Sequence, residues 1–111
     1  MQYLLLIYDD EKRWAKGYDE NELKEYGAFG QEFQKAIVSG KALQPTRAAT
    51  TVRVREGKRL ATDGPFAETK EHLSGFYLVE AKDLAEAQRI AAKIPAAKFG
   101  SIEVRPIMKF D

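Results

Sequence analysis

Residues 62–77, TDGPFAETKEHLSGFY, combine turn-forming, charged and aromatic side chains between two segments that have the composition of β-strands. Asp63 and Gly64 favour a turn, and Pro65 restricts both its own φ and the conformation of the residue before it. From residue 74 onward, apolar and aromatic residues resume, which is typical of a strand. The sequence therefore predicts a rigid loop that joins two strands.

This loop has two interpretations. In the first, it is a solvated hairpin connection that Phe66 pins to the protein. In the second, it forms one wall of a polar pocket, because ionisable groups are concentrated at Glu68, Lys70, Glu71 and His72. The residues of the loop support both interpretations.

The length and composition indicate one ordinary globular domain. The chain has 111 residues, which allow one domain with a single core, and a formal net charge of +1. Such a small charge does not favour direct binding to nucleic acid or to an acidic membrane. The chain contains no cysteine. The apolar run at its start is too short for a signal peptide or a membrane span, so we expect a soluble cytoplasmic protein.

The first half of the chain is predicted to form a strand and a long helix. Residues 3–8, YLLLIY, are almost continuously apolar, which suits a strand covered on both faces. Asp19 begins a capping-box-like pattern, and apolar residues at helical spacing then predict a helix from about Asp19 to Ser39. Gly40 lies where a helix commonly ends. Within this helix, Gly27 and Gly30 either allow close packing against the sheet or are merely tolerated.

The second half is predicted to contain further strands and one shorter helix. Residues 49–55, ATTVRVR, alternate strictly, and Glu56-Gly57 predicts a turn into a partner strand. A second capping-box-like pattern at Asp83 begins a helix that Pro95 ends. The predicted strands of this half are a short one at 41–45, then 49–55, 58–62, 74–81 and 101–107.

This order of elements predicts the fold class. Strands and helices in the order strand, helix, strands, helix, strand fit an α+β fold with a ferredoxin-like antiparallel sheet and two helices on one face. The other face then has no cover within the chain. Because an exposed apolar sheet face is usually buried by a second copy, we expect a homodimer in which two sheets meet as a dimeric α+β barrel.

Four stretches together carry a resemblance to a known family. They are MQYLLLIY at the start, ALQPTRAATTVRVREGK in the middle, TDGPFAETKEHLSGFYL in the loop and GSIEVRPI near the end. With them, the chain resembles the DGPF family of the YCII-related proteins. The resemblance implies a single YCII-related domain over residues 1–111, a dimeric ferredoxin-like barrel and a bacterial cytoplasmic protein. It also implies an association with an extracytoplasmic-function sigma factor.

Some YCII-related proteins resemble small lyases or isomerases that use a histidine near the start of the first helix together with an aspartate. This chain has no histidine between Asp19 and Gly30, and His72 is its only one. Of that pair, the resemblance therefore carries over only the aspartate, for which Asp63 is the nearest candidate.

Asp63 and His72 are the candidate catalytic residues. An imidazole titrates near neutral pH, so His72 is a candidate general base if it faces the pocket, and is otherwise a solvated side chain. Asp63 either holds a carboxylate at the rim of the sheet or bonds to its own turn. One histidine without a partner histidine or repeated carboxylate spacing does not predict a metal site, and we expect no metal and no cofactor.

The candidate ligand-binding residues are the side chains that would surround such a pocket. Alternation along the strands places two arginines opposite the core, where guanidinium groups could bind a carboxylate or phosphate-like ligand. Ion pairs with Glu80 or Glu103 would explain these arginines equally well. The full set comprises Phe66, Glu68, Lys70, Arg53, Arg105 and Tyr77.

Three hypotheses about function follow. The first is a small-molecule-binding protein with lyase- or isomerase-like activity. The second is a regulatory module that contacts a protein such as a sigma factor. The third is a structural dimer without a ligand, in which the loop merely closes the edge of the sheet.

Overall fold

The computed structural model describes residues 1–67 and 69–110. Within them the chain forms six strands and two helices. In chain order these are β1 (Gln2–Asp9), α1 (Glu20–Glu32), β2 (Ile37–Ala42), β3 (Thr50–Arg55), β4 (Lys58–Asp63), β5 (His72–Glu80), α2 (Leu84–Ala92) and β6 (Ser101–Pro106). Short 3-10 helices lie at Glu11–Arg13, Thr46–Ala48 and Pro95–Lys98.

Four of the strands form one antiparallel sheet with the order β2-β5-β1-β6. With the two helices, this is the ferredoxin-like arrangement, so the predicted α+β class with an antiparallel sheet is confirmed. Strands β3 and β4 pair only with each other, as a hairpin inserted between β2 and β5. The sequence predicts the hairpin itself, but does not show that it lies outside the main sheet.

The core lies between the helices and one face of the sheet, which we call the inner face. Alternation along β1 places Tyr3 and Leu5 on this face, where they contact Val79 of β5. Phe29 of α1 and Ile90 of α2 pack onto the same cluster. Both helices therefore cover the inner face, as the sequence predicts.

Both helices begin where the sequence predicts. The Asp19 carboxylate accepts a hydrogen bond from the backbone N–H of Glu22, and the Asp83 carboxylate accepts one from Glu86. Each bond satisfies one of the backbone donors that a helix start leaves unpaired. Two local caps thus fix where the chain turns onto the inner face.

The end of α1 differs from the prediction. The helix ends at Glu32, and residues 37–42 form β2 instead of the last helical turns and a later strand at 41–45. Pairing with the central strand β5 decides this, because it satisfies the backbone groups of Ile37 and its neighbours. Gly40 consequently lies in a strand, where an added Cβ would be 2.6 Å from Cδ1 of Tyr77.

The predicted close packing at Gly27 and Gly30 is wrong. A Cβ added at either position would have no neighbouring heavy atom within 4 Å. These glycines face open space, so the fold does not require them.

The opposite face of the sheet, which we call the open face, carries apolar side chains without a cover among the described residues. Leu4 and Leu6 of β1 and Phe76 and Leu78 of β5 are half-buried there. The hairpin also exposes apolar groups, at Val52, Val54 and Leu60. No helix of the described chain is both long and apolar enough to span a membrane.

Candidate functional site

A cavity of about 840 Å³ lies at the end of the open face. Tyr8 of β1 and the first two residues of β5, His72 and Leu73, form its base. Residues 43–46 and 48–51, from the connection after β2 and the start of β3, form one wall. Pro65 to Ala67 and Thr69, from the central loop, form the other. The loop thus forms one wall of a cavity, as the second of its two interpretations predicts.

Turn geometry holds the loop against the start of β3. Gly64 has φ +96°, a left-handed conformation that glycine adopts without strain. The N–H of Gly64 donates to the carbonyl oxygen of Ala49 at 2.7 Å, and the hydroxyl of Thr51 donates to the carbonyl oxygen of Gly64 at 2.8 Å. The two walls of the cavity are therefore hydrogen-bonded to each other.

Glu11 holds the first wall from outside the cavity. Its carboxylate accepts hydrogen bonds from the backbone N–H of Thr46 at 2.9 Å and from the Thr46 hydroxyl at 2.5 Å. Desolvation raises the pKa of Glu11, but the side-chain and backbone bonds from Thr46, together with the nearby charge of His72, lower it more, and the pKa lies below its ordinary 4.5. Ionised Glu11 is therefore the form that stabilises this wall.

Replacing Glu11 with glutamine tests this role through pH. Because the folded-state pKa is lowered, the contribution of Glu11 to stability is present above its unfolded-state value and is lost as the pH falls through the folded value. We expect the parent to be more stable than Glu11→Gln near pH 7, with a smaller difference at a pH well below the ordinary 4.5. Urea unfolding at both pH values measures it. An unchanged difference would show that the charge of Glu11 is irrelevant.

The interior of the cavity is mainly apolar, whereas the second interpretation of the loop predicts a polar pocket. Three threonine hydroxyls along it already have partners: Thr46 donates to Glu11, Thr51 to Gly64, and Thr69 to the carbonyl oxygen of Glu71. His72 differs from them, because its Nδ1 is buried and has no hydrogen-bond partner among the described residues. The imidazole of His72 thus places a buried nitrogen without a described partner beside a mainly apolar cavity.

The structure brings only some of the predicted residues to this cavity. His72 and Phe66 line it, and 79% of Phe66 is exposed. Asp63, the last residue of β4, and Lys70 are exposed and do not line it. Glu68 lies outside the described residues.

The predicted arginines lie elsewhere. Arg53 is exposed on the hairpin, and Arg105 is exposed on β6 opposite Leu4. The ion pairs suggested for them are not formed among the described residues. Glu80 instead binds the N-terminal ammonium at 2.8 Å, and Glu103 accepts a hydrogen bond from Tyr8 at 3.5 Å.

Tyr77 is the remaining predicted ligand-binding residue. It lies on the inner face of the sheet, where it packs against Phe29 with ring centroids 5.0 Å apart. It lines a second, smaller pocket rather than the cavity beside His72.

The sequence interpretation missed a buried ionic cluster beside the site. Arg13 binds Asp9, through Nη2 and Oδ2, and Glu22, through Nη1 and Oε1 at 2.7 Å. Hydrogen bonds to Glu22 and Asp9 raise the pKa of Arg13 and keep it charged. Its guanidinium carbon also lies 4.1 Å from the ring centroid of Phe99. The alternation of β1 is a usable signal, because it places residue 9 on the same face as the buried residues 3, 5 and 7.

The described residues contain no group of three or more histidine, cysteine, aspartate or glutamate side chains that could hold a metal ion. The expectation of a site without metal or cofactor stays a prediction. The site therefore consists of an apolar cavity, the imidazole of His72 and a wall that the Glu11 carboxylate stabilises.

The sheet order, the two helices on the inner face and the inserted hairpin define a small ferredoxin-like α+β domain. The sequence profile of the YCII-related domain matches residues 1–111, and the chain belongs to this family. It is 40% identical to an uncharacterised protein of Rhizobium meliloti (strain 1021), over 96% of this chain and 92% of the relative.

A solved structure shares the fold. It is 5-chloro-2-hydroxyhydroquinone dehydrochlorinase (TftG) from Burkholderia phenoliruptrix AC1100, in complex with 2,5-dihydroxybenzoquinone. The TM-score is 0.55 at 15% sequence identity, over 97% of this chain and 94% of the enzyme. At this identity, the similarity establishes a common fold.

Proposed function

We propose that the protein is a dimeric small-molecule-binding protein of the DGPF group, located in the cytoplasm, with lyase- or isomerase-like activity in the open-face cavity. The observation that carries this proposal is that His72, whose buried Nδ1 has no partner among the described residues, lines an apolar cavity of about 840 Å³. A cavity with apolar walls and few polar groups is typical of a ligand site. His72 is the general base, and Phe66 packs against the ligand.

The volume and lining indicate the class of ligand. Cavities of roughly 300–1,000 Å³ enclose most of a drug-sized ligand, so this one admits a ring compound with substituents. An apolar interior selects a largely uncharged ring, and His72 can accept a proton from a carbon or hydroxyl group held at hydrogen-bonding distance. The dehydrochlorinase that shares the fold has a quinone ligand and an elimination reaction in its name, which supports lyase-like chemistry for this chain.

The ligand site is tested by a thermal-shift screen of uncharged ring metabolites. We expect Phe66→Ala to weaken any hit by roughly tenfold, since a ligand that covers this exposed ring removes its apolar surface from water. His72→Gln should retain some binding and lose turnover, because glutamine fills the site without acting as a base. Val54→Ala on the exposed hairpin is the matched control. Hits that both Phe66→Ala and His72→Gln bind as well as the parent would refute the assignment.

Asp63 and Lys70 have a smaller part in the proposal. Asp63 precedes the turn at Gly64 and Pro65, so it acts on the cavity wall rather than on the ligand. If Asp63→Asn and Lys70→Ala both retain every ligand shift of the parent, neither residue belongs to the site. A catalytic or ligand-binding role of Glu68, Arg53, Arg105 or Tyr77 stays a prediction, as does an association with a sigma factor.

The dimer follows from the open face. Leu4, Leu6, Phe76 and Leu78 would be buried if two open faces met, which would form the dimeric α+β barrel. We expect the parent to elute as a dimer at micromolar concentration, and Phe76→Lys to elute as a monomer because it places a charge in that interface. Size-exclusion chromatography with light scattering measures both. A parent that stays monomeric would remove this part of the proposal.

A further inference from the structure

A second pocket, of about 210 Å³, lies on the inner face between α1 and the sheet. Tyr18, Leu23 and Tyr26 approach it from the side of α1, and Gly40 and Tyr77 from β2 and β5. It is distinct from the cavity beside His72, because the two spaces share no lining residue. We call it the tyrosine pocket.

The tyrosine rings are held in place before any ligand arrives. Tyr18 stacks on Trp14 with an interplanar angle of 4° and ring centroids 5.4 Å apart. Tyr77 packs against Phe29 on one side, and it covers Gly40 so closely that a Cβ there would be 2.6 Å from the ring. Rings fixed in this way lose little conformational entropy when they bind a ligand.

The hydroxyls of Tyr18 and Tyr77 are the polar groups available in this pocket, whereas Tyr26 has a hydrogen bond with the backbone of Ala96. Neither the Tyr18 hydroxyl nor the Tyr77 hydroxyl has a hydrogen-bond partner among the described residues. Burial raises the pKa of Tyr18, Tyr26 and Tyr77, so all three stay protonated. A protonated phenol can donate a hydrogen bond to a carbonyl or hydroxyl oxygen.

The surrounding charge disfavours an anion. Asp9 and Glu22 share one cation, Arg13, which leaves this cluster with a net negative charge beside Tyr18. These two carboxylates contribute to the raised pKa of Tyr18. Lys41 also borders the pocket, but it is the strand neighbour of Gly40, so its exposed side chain points to the open face.

From this geometry we propose that the tyrosine pocket is a second binding site, distinct from the cavity beside His72, for an uncharged compound of one ring that carries an oxygen acceptor. The volume sets the size, since a dry cavity of about 150 Å³ suffices for benzene. The tyrosine hydroxyls select the acceptor, and the carboxylates exclude the anion. This proposal does not depend on the function proposed for the open face.

Acetophenone and benzoate are suitable probes, because they share the ring and differ in charge. In a ¹H–¹⁵N NMR titration, acetophenone should shift the amides of Gly40 and Gly75 saturably at millimolar concentration, and benzoate should not. In the Tyr18→Phe/Tyr77→Phe double variant, we expect affinity to fall by roughly three- to tenfold for each hydrogen bond lost. Phe66→Ala, in the other cavity, should leave this binding unchanged.

The same titration separates the two sites. Binding beside His72 shifts the amides of His72 and Leu73, whereas binding in the tyrosine pocket shifts those of Gly40 and Gly75. Saturable shifts confined to His72 and Leu73, or no saturable shift at all, would overturn the second site. Benzoate binding as tight as that of acetophenone, or a double variant with parental affinity, would overturn it as well.

Discussion

Replacing Arg13 with alanine is expected to destabilise the folded protein by about 3 kcal/mol. The change removes the cation that Asp9 and Glu22 share, and both carboxylates are almost fully buried, with side chains 3% and 5% exposed. An uncompensated buried charge costs several kcal/mol, because the charge cannot regain its hydration. We place the effect at the low end of that range because Arg13 is itself partly exposed, so water can reach the vacated site.

Urea unfolding at neutral pH measures the change in the free energy of unfolding. Lys12→Ala is the matched control, since Lys12 is exposed in the same short helix and makes no ion pair with a described residue. The Asp9→Asn/Arg13→Ala double variant should recover part of the stability, because it removes one of the two stranded charges. If Arg13→Ala cost no more than Lys12→Ala, the cluster would not stabilise the fold.

Gly100→Ala is expected to destabilise the protein by about 3 kcal/mol. A Cβ at this position would lie 2.0 Å from the carbonyl oxygen of Tyr8 and 3.0 Å from Cα of Asp9. Both contacts are with backbone atoms of the central strand β1, so no side chain can rotate away to relieve them. β6 would have to separate from β1 next to the pair formed by Tyr8 and Ser101.

Gly27→Ala is the opposite case and serves as the control. The added methyl group meets no atom within 4 Å, and alanine in a helix interior is favoured over glycine by roughly 0.5–1 kcal/mol. Thermal unfolding should therefore show a lower Tm for Gly100→Ala and a slightly higher Tm for Gly27→Ala. Equal shifts of the same sign would contradict the packing around Gly100.

Features encoded by neighbouring residues were predictable. The caps at Asp19 and Asp83 need only a carboxylate and a backbone N–H three residues later, and both form as expected. The hairpin of β3 and β4 likewise forms as expected, but Val52 and Val54 are exposed and do not face the core that the alternation predicts. The turn at Gly64 follows from its dipeptide with Asp63. Each of these signals lies within a few residues of the structure it specifies.

Features that depend on distant partners were not predictable from spacing. The apolar residues near Ile37 fit a helical pattern, and only pairing with β5, some 40 residues later, makes them a strand. The bond from Thr46 to Glu11 joins positions 35 residues apart and holds one wall of the site. Nothing in the sequence around Arg13 distinguishes it from an ordinary surface residue. The fold places the carboxylates of Asp9 and Glu22 on either side of it.

The sequence by itself determined the α+β class, the order of the elements, the caps of both helices and the glycine turn beside the cavity, because backbone propensity and apolar periodicity are local. Only the tertiary structure decided where α1 ends, that His72 and Phe66 share a cavity without Asp63, and that three tyrosines surround another. The physical reason is that cavities, buried ion pairs and sheet order arise from contacts between segments far apart in the chain. The free energy of such contacts cannot be inferred from the pattern of neighbouring residues.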